Sequence, residues 1–276
     1  MKTFLDQILA DVAGELALTK SERPLADIRA RLSDAPTVRP FYESLRGRFS
    51  LIAEVKERSP SVGPMREENV RDAFSVYEDS PLVGAISVLT NAYHFGMDIT
   101  RLAEARKVLS KPLLRKDFII EEYQVREARA FGADAILLMA NVLDASRLAG
   151  FYDLARELGM QALFEVHTEE ELDMLPREAC IVGINSRKFK STTGFVGAQG
   201  ASKQDFSLDL SAFDLVDRLP ADAVKVAESG LTPQNVHQIV SRFQAALVGT
   251  SLLRDERGIR AGVEDFEKAC ADAGVN

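Results

Sequence analysis

The sequence predicts an α/β fold, a (β/α)8 TIM barrel with an N-terminal helical extension, and three observations carry that expectation. From residue 51 the chain repeats one unit, a short Val/Ile/Leu-rich run, then polar residues, then an amphipathic stretch with helical spacing. The unit recurs eight times, more than an open sheet of this length favours. At 276 residues and 46% hydrophobic, the chain can bury one substantial core, a size at which such barrels form one domain.

Residues 1–50 lie outside the repeat. There FLDQILADVAGELALTKS and FYESLRGRF read as helices around the Pro-containing SERPLAD and APTVRP, an extension over one end of a barrel domain spanning 51–276. The strands follow in order: LIAEVK (51–56), VGAISVL (83–89), PLLRK (112–116), DAILLM (134–139), QALFEV (161–166), CIVGIN (180–185), KVAES (225–229) and AALVG (245–249). Near-continuous apolar runs of this kind belong to a parallel sheet covered on both faces. Between them, EEYQVREARAFGA and DASRLAGFYDLARELGM space their apolar residues three and four apart and stop at Gly132 and Gly159. NVHQIVSRF and VEDFEKACADAG read as amphipathic shell helices with solvated charged faces. One stretch breaks the pattern: KSTTGFVGAQGASKQD (190–205) is too long for an ordinary strand-to-helix connection and is either a lid or an inert insertion.

Charge narrows the partners. A formal net charge of −8 and a pI near 5.1 argue against a general affinity for nucleic acid or an anionic membrane, so any phosphate is gripped locally. MKTFLDQILADVAGELA carries acids among its apolar residues and suits neither a signal peptide nor a membrane span, which makes the cytoplasm the expected location. Cys180 and Cys270 are too few and too far apart for a disulfide framework, and no CxxC or Cys/His metal spacing exists. Both read as buried packing residues, and neither a metal nor an organic cofactor is expected.

In such barrels the reactive groups gather at the carboxyl ends of the strands. The first strand ends in Glu54 and Lys56, the third in Lys116 and Asp117, the fifth in Glu165, the sixth in Asn185 and Arg187, the seventh in Glu228 and Ser229. Taken singly, each charge reads as a solvated strand end or an ion pair. Odd-numbered strands share an interior layer, so Glu54, Lys56, Lys116, Glu165 and a residue of the seventh strand can converge on one small volume. Two lysines and two carboxylates suit acid-base chemistry, with burial or a neighbouring cation lowering a lysine's pKa towards neutrality. Schiff-base catalysis on a buried lysine is the rival use. A phosphate site is suggested independently by ESGLTPQN and GTSLL, where Gly230 and Gly249 permit close backbone approach and SLLRD after Thr250 reads as a short helix whose N-terminal N–H groups face an anion. The three histidines, His94, His167 and His237, carry no catalytic pattern.

The motifs IAEVKERSPSVG, AISVLT, PLLRKDFIIEEYQV, GADAILLM, FEVHTEEEL, VGINSRKF, VAESGL and LVGTSLL, in this order and spacing, resemble those of the indole-3-glycerol-phosphate synthase family over nearly the whole chain. The resemblance implies a lyase acting on 1-(2-carboxyphenylamino)-1-deoxyribulose 5-phosphate, a small phosphorylated substrate, by ring closure, decarboxylation and dehydration; a monomer or weak homo-oligomer is the expected state. It implies Lys116 as general acid, Glu54 and Asn185 in the supporting polar network, and Glu165 as acid-base partner in dehydration. Lys56 would meet the anthranilate carboxylate or donate a proton itself, with Arg187 a second candidate for that carboxylate. Phe95 and Phe118 would wall the aromatic ring, Ser59, Gly230, Gly249 and Thr250 would hold the phosphate, and Ser229 would bind nearby hydroxyl groups. The sequence departs from the family at Val62 (usually Lys in SPSKG), at Gly96, Met97 and Asp98 (usually FxGS), and at Ser186 and Lys188 (usually GINNRDL). Those departures keep other readings open: a paralogue that binds a phosphorylated ligand with little turnover, or another phosphate-binding barrel, an isomerase or a Schiff-base aldolase.

Overall fold

The computed structural model describes residues 4–189 and 206–275. Eight strands, β1 (Ser50–Val55), β2 (Val83–Leu89), β3 (Leu113–Lys116), β4 (Ala135–Met139), β5 (Gln161–Val166), β6 (Ile181–Asn185), β7 (Val224–Glu228) and β8 (Ala245–Val248), form a closed parallel barrel. Each strand follows its neighbour in sequence around the ring, and β8 closes on β1 with Ser50 opposite Ala245. The period-two alternation of a strand sorts each run between two cores. Ile52, Ala85, Leu114, Leu163, Val226 and Leu247 fill the interior. Leu51, Ala53, Ile86, Phe164 and Ala227 pack outward under the helices. Carried to the strand ends, the same alternation sends Glu54, Lys116, Glu165 and Glu228 inward.

The extension consists of α1 (Phe4–Glu22), α2 (Leu25–Leu32) and α3 (Phe41–Leu45). It reaches both barrel ends rather than the one expected from sequence. At the amino end Phe41 and Leu45 are fully buried, and the Tyr42 N–H donates to Gln161 Oε1 at the start of β5, 2.6 Å away. Gly84, at the start of β2, is needed there, because a Cβ would come within 2.6 Å of the Ser44 carbonyl oxygen. At the carboxyl end the Phe4 and Ile8 side chains of α1 meet the cavity described below. The amphipathic spacing of α1, with Phe4, Ile8, Val12 and Leu16 buried, fixes which face lies on the barrel.

Several local expectations differ from what forms. The helix α2 begins directly after Pro24, a residue suited to a helix start, and takes in the end of SERPLAD, which the sequence placed between helices. FYESLRGRF is helical only to Leu45, and Gly47 then turns the chain at φ 101°. After β7 no full helix forms over NVHQIVSRF: a short 3₁₀ turn, Val236–Gln238, takes its place. The Asn235 side chain accounts for this, since its Oδ1 accepts the Thr232 N–H (2.8 Å) and its Nδ2 donates to the Gly230 carbonyl (2.9 Å), tying the segment back to the turn. A 3₁₀ helix, Leu210–Arg218, also follows β6. Cys270 is buried, but Cys180 is only partly so. The stretch 190–205, read as lid or insertion, lies outside the described residues. No helix among them is long and apolar enough to cross a membrane.

Candidate active site

A cavity of about 400 Å³ opens at the carboxyl end of the barrel. Every site residue singled out from sequence lines it: Glu54, Lys56, Ser59, Phe95, Lys116, Phe118, Glu165, Asn185, Arg187, Ser229, Gly230, Gly249 and Thr250. Glu228, Phe4 and Ile8 are among the lining residues that the sequence did not put in the site. Glu228 appeared only as a strand end, yet it is 1% exposed and touches Lys116. Phe4 and Ile8 come from the extension, and only the amphipathic phase of α1 hinted that they face the barrel.

The centre of the site is a lysine between two carboxylates. Lys116 Nζ donates to Glu165 Oε2 at 3.1 Å and to Glu228 Oε2 at 3.2 Å. Burial alone would lower the pKa of this lysine, but the charges of Glu165, Glu228 and Glu54 outweigh it and hold the ammonium well above the ordinary lysine range. This corrects the expectation of a lysine lowered towards neutrality: the carboxylates, not burial, decide. The two carboxylates respond in opposite ways. Burial pushes both up; at Glu165 the attraction of Lys116 and then of His167 wins and brings the carboxyl down to about 2. At Glu228 burial, joined by repulsion from Glu165, exceeds the pull of Lys116 and leaves the carboxyl near 8. At neutral pH the trio therefore holds one ammonium, one carboxylate and one neutral acid, which is how two buried acids coexist.

Beside the trio, Lys56 is ion-paired with Glu54 two residues earlier on the same strand face. Two glycines make room for these acids. A Cβ on Gly183 would collide with Glu228 Oε1, and one on Gly249 with Glu54 Oε1. Gly249, read from sequence as a phosphate residue, thus has a second reason to be glycine. Directly after Glu228, Ser229 adopts φ 71°, the one non-glycine residue described with positive φ, next to Gly230 at the same angle. Such strain in a serine persists where the surroundings hold it, and Ser186, one of the departures, does so by donating to the Ser229 carbonyl at 3.1 Å. The helix Thr250–Leu253 starts at Gly249 without a side-chain cap, so its first N–H groups have no intrahelical acceptor. Ser59 shares a hydrogen bond with Ser61 (2.9 Å), and Ser61 in turn receives one from Arg187 (2.5 Å).

The remaining wall is apolar. The Phe95 and Phe118 rings lie 6.5 Å apart with planes 27° from parallel. Phe95 belongs to the loop that carries the departures at Gly96, Met97 and Asp98. That loop is well held: Gly96 takes φ 84°, Met97 is 3% exposed, and Asp98 caps the next helix by accepting the Thr100 N–H at 2.7 Å. Val62, another departure, packs against the outer core and lines the cavity. Among the described residues no group of three His, Cys, Asp or Glu side chains is arranged to hold a metal.

The family model described as indole-3-glycerol phosphate synthase matches residues 5–264. The chain is 37% identical over 268 residues to the indole-3-glycerol phosphate synthase of Verminephrobacter eiseniae (strain EF01-2), covering 92% of this chain and 95% of that one. To the enzyme of the same name from Nocardioides sp. it is 39% identical over 259 residues, covering 92% and 94%. Among solved structures, thiamine phosphate pyrophosphorylase from Pyrococcus furiosus superposes with a TM-score of 0.58 at 14% identity, covering 85% of this chain and 99% of that one, a likeness of fold alone.

Proposed function

The chain belongs to the indole-3-glycerol phosphate synthase family, and from that premise we propose how its cavity works. The reaction is that of a carboxy-lyase in tryptophan biosynthesis: 1-(2-carboxyphenylamino)-1-deoxyribulose 5-phosphate closes its ring, loses carbon dioxide and loses water to give indole-3-glycerol phosphate. The observation that carries the assignment of roles is the Lys116 ammonium held between Glu165 and Glu228 inside the same cavity as the Ser229–Gly230 turn.

In this reading the phosphate rests on Ser59, Gly230, Gly249 and Thr250, with Ser229 on the sugar hydroxyls. The anthranilate ring lies among Phe95, Phe118, Phe4 and Ile8, where leaving water favours binding. Attack of the carboxylate-bearing ring carbon on the sugar carbonyl forms the carbon–carbon bond and places negative charge on the carbonyl oxygen. Lys116 donates its proton there. An alkoxide is more basic than an amine, so even a tightly held ammonium gives its proton up at that step. Carbon dioxide then leaves and the ring regains aromaticity. Dehydration expels the new hydroxyl as water: Lys56, the other ammonium lining the cavity, supplies a proton to it, and another is withdrawn from the neighbouring carbon. Glu165 takes that proton, with Asn185 and Glu54 holding the network. Lys56 or Arg187 meets the substrate carboxylate until it is lost. A Schiff base needs a neutral amine, and the carboxylates around Lys116 oppose that form, which disfavours the aldolase alternative.

Two coarser expectations go with the proposal. Residues 1–50 act as an extension of the catalytic domain 51–276, and the protein works in the cytoplasm as a monomer or weak homo-oligomer, which sedimentation tests. The central test is continuous fluorescence detection of the indole product from the purified chain and from Lys116→Met. Loss of a positioned general acid lowers kcat by about 10²- to 10⁴-fold. Near-normal turnover by Lys116→Met refutes the role given to that lysine.

A further inference from the structure

Glu165 gives one oxygen to Lys116 and turns the other towards a histidine that the mechanism above leaves unused. Its Oε1 is buried without a hydrogen-bond partner and lies 3.6 Å from His167 Nε2, itself buried and without one. Two buried polar atoms left facing each other beside a titrating carboxylate call for an explanation. The ring is not free to swing elsewhere. Its Nδ1 lies 3.2 Å from Glu171 Oε2, and the same oxygen accepts the His167 backbone N–H at 2.7 Å. The motif FEVHTEEEL builds this locally: Thr168 caps the short helix Glu169–Leu172 by accepting the Glu171 N–H at 3.3 Å. That cap turns the Glu171 carboxylate back over the imidazole.

We propose that His167, clamped by Glu171, is a positioning residue for Glu165: its ring cation faces Oε1, keeps that carboxylate ionised for proton removal, and leaves Oε2 to Lys116. The inference rests on the role of Glu165 as acid-base partner. The groups facing His167 are Glu165 on the preceding strand β5, Glu171 on the following helix and Glu228 on β7. Burial alone would favour the neutral ring, but the hydrogen bond to Glu171 and the charges of Glu165 and Glu171 outweigh it and raise His167 above the usual histidine range. In return His167 is, after Lys116, the second charge that lowers Glu165. His167 is not among the residues lining the cavity, so its influence passes through Glu165 and not through the substrate.

The experiment compares pH profiles of kcat and KM for the wild-type protein, His167→Asn, Glu171→Gln and Glu165→Gln. A neighbouring cation typically depresses a carboxyl by about 1–3 units. The acid limb of kcat in His167→Asn therefore moves up by about one unit or more, with KM at the plateau unchanged. Glu171→Gln moves it the same way by less, since the ring loses its charged partner but keeps an acceptor. An acid limb that stays in place in both variants overturns the inference, as does a uniform loss of kcat without a shift, which marks a merely structural histidine. Near-normal turnover by Glu165→Gln overturns the underlying role of Glu165 instead, so the two failures are told apart.

Discussion

At the scale of single residues, the site is governed by how many carboxylates surround Lys116. The strand-end rule picked out Glu54, Lys116 and Glu165 from sequence because an inward residue at a strand's carboxyl end follows from period two alone. The acidity of Lys116 did not follow, since it depends on Glu228 reaching the same ammonium from β7, a contact 112 positions away in sequence. Gly183 was the overlooked signal: a glycine inside an apolar strand marks close approach, here by the Glu228 carboxyl. That carboxyl, pushed by burial up to about 8, is neutral at pH 7 and ionises as pH rises past that value. Ionisation adds a second negative charge beside Lys116, where an anionic substrate must bind. The wild-type protein is therefore expected to lose kcat/KM on the alkaline side near pH 8. Glu228→Gln, which keeps a neutral group of the same shape, should move that limb to higher pH. A limb unmoved in the variant assigns it to another group.

At the scale of elements, two pieces shape the apolar wall. The loop after β2 carries Phe95, and α1 grips it from above: Glu15 accepts from Asn91 Nδ2 and the Tyr93 N–H, each at 3.2 Å, and Asp11 Oδ2 lies 3.2 Å from His94 Nε2. Through this clasp the extension sets the aromatic side of the cavity as well as lining it. Ile8→Ala should raise KM by about tenfold, the loss of roughly 1.4 kcal/mol of apolar contact, with little change in kcat. An unchanged KM removes Ile8 from the substrate surface. The departure at Asp98 has a local cause, because aspartate caps a helix as well as the usual serine. Asp98→Ala should cost about 1 kcal/mol and lower Tm by about 2–4 °C, whereas Asp98→Ser should leave it nearly unchanged. Elements of this kind were legible where periodicity and caps coincide. The 3₁₀ turn at Val236–Gln238 was not, because NVHQIVSRF has helical spacing and only the Asn235 side chain, bonded back to Gly230 and Thr232, diverts it.

At the scale of the whole molecule, the closed barrel couples these local charges to global stability, since every strand is hydrogen-bonded on both sides and a strained member cannot detach alone. Glu165 and Glu228 then act on opposite sides of neutrality. The Glu165 carboxyl lies at about 2 in the folded protein against 4.5 as its ordinary value, so its stabilisation is present above 4.5 and is lost as pH falls towards 2. The Glu228 carboxyl lies at about 8, above its ordinary 4.5, so its contribution is favourable below 4.5 and is lost as pH rises through 8. A stretch from about pH 5 to 8 follows in which Glu165 is already fully stabilising while Glu228 grows steadily more costly to keep folded. Glutamine at 228 cannot ionise and removes only the second effect. The urea midpoint of Glu228→Gln relative to wild type should therefore rise between about pH 5 and pH 8 and level off above, with no comparable divergence below pH 4.5. Parallel midpoint curves over that range would mean that Glu228 is ionised throughout, and the proton-sharing arrangement around Lys116 would have to be abandoned.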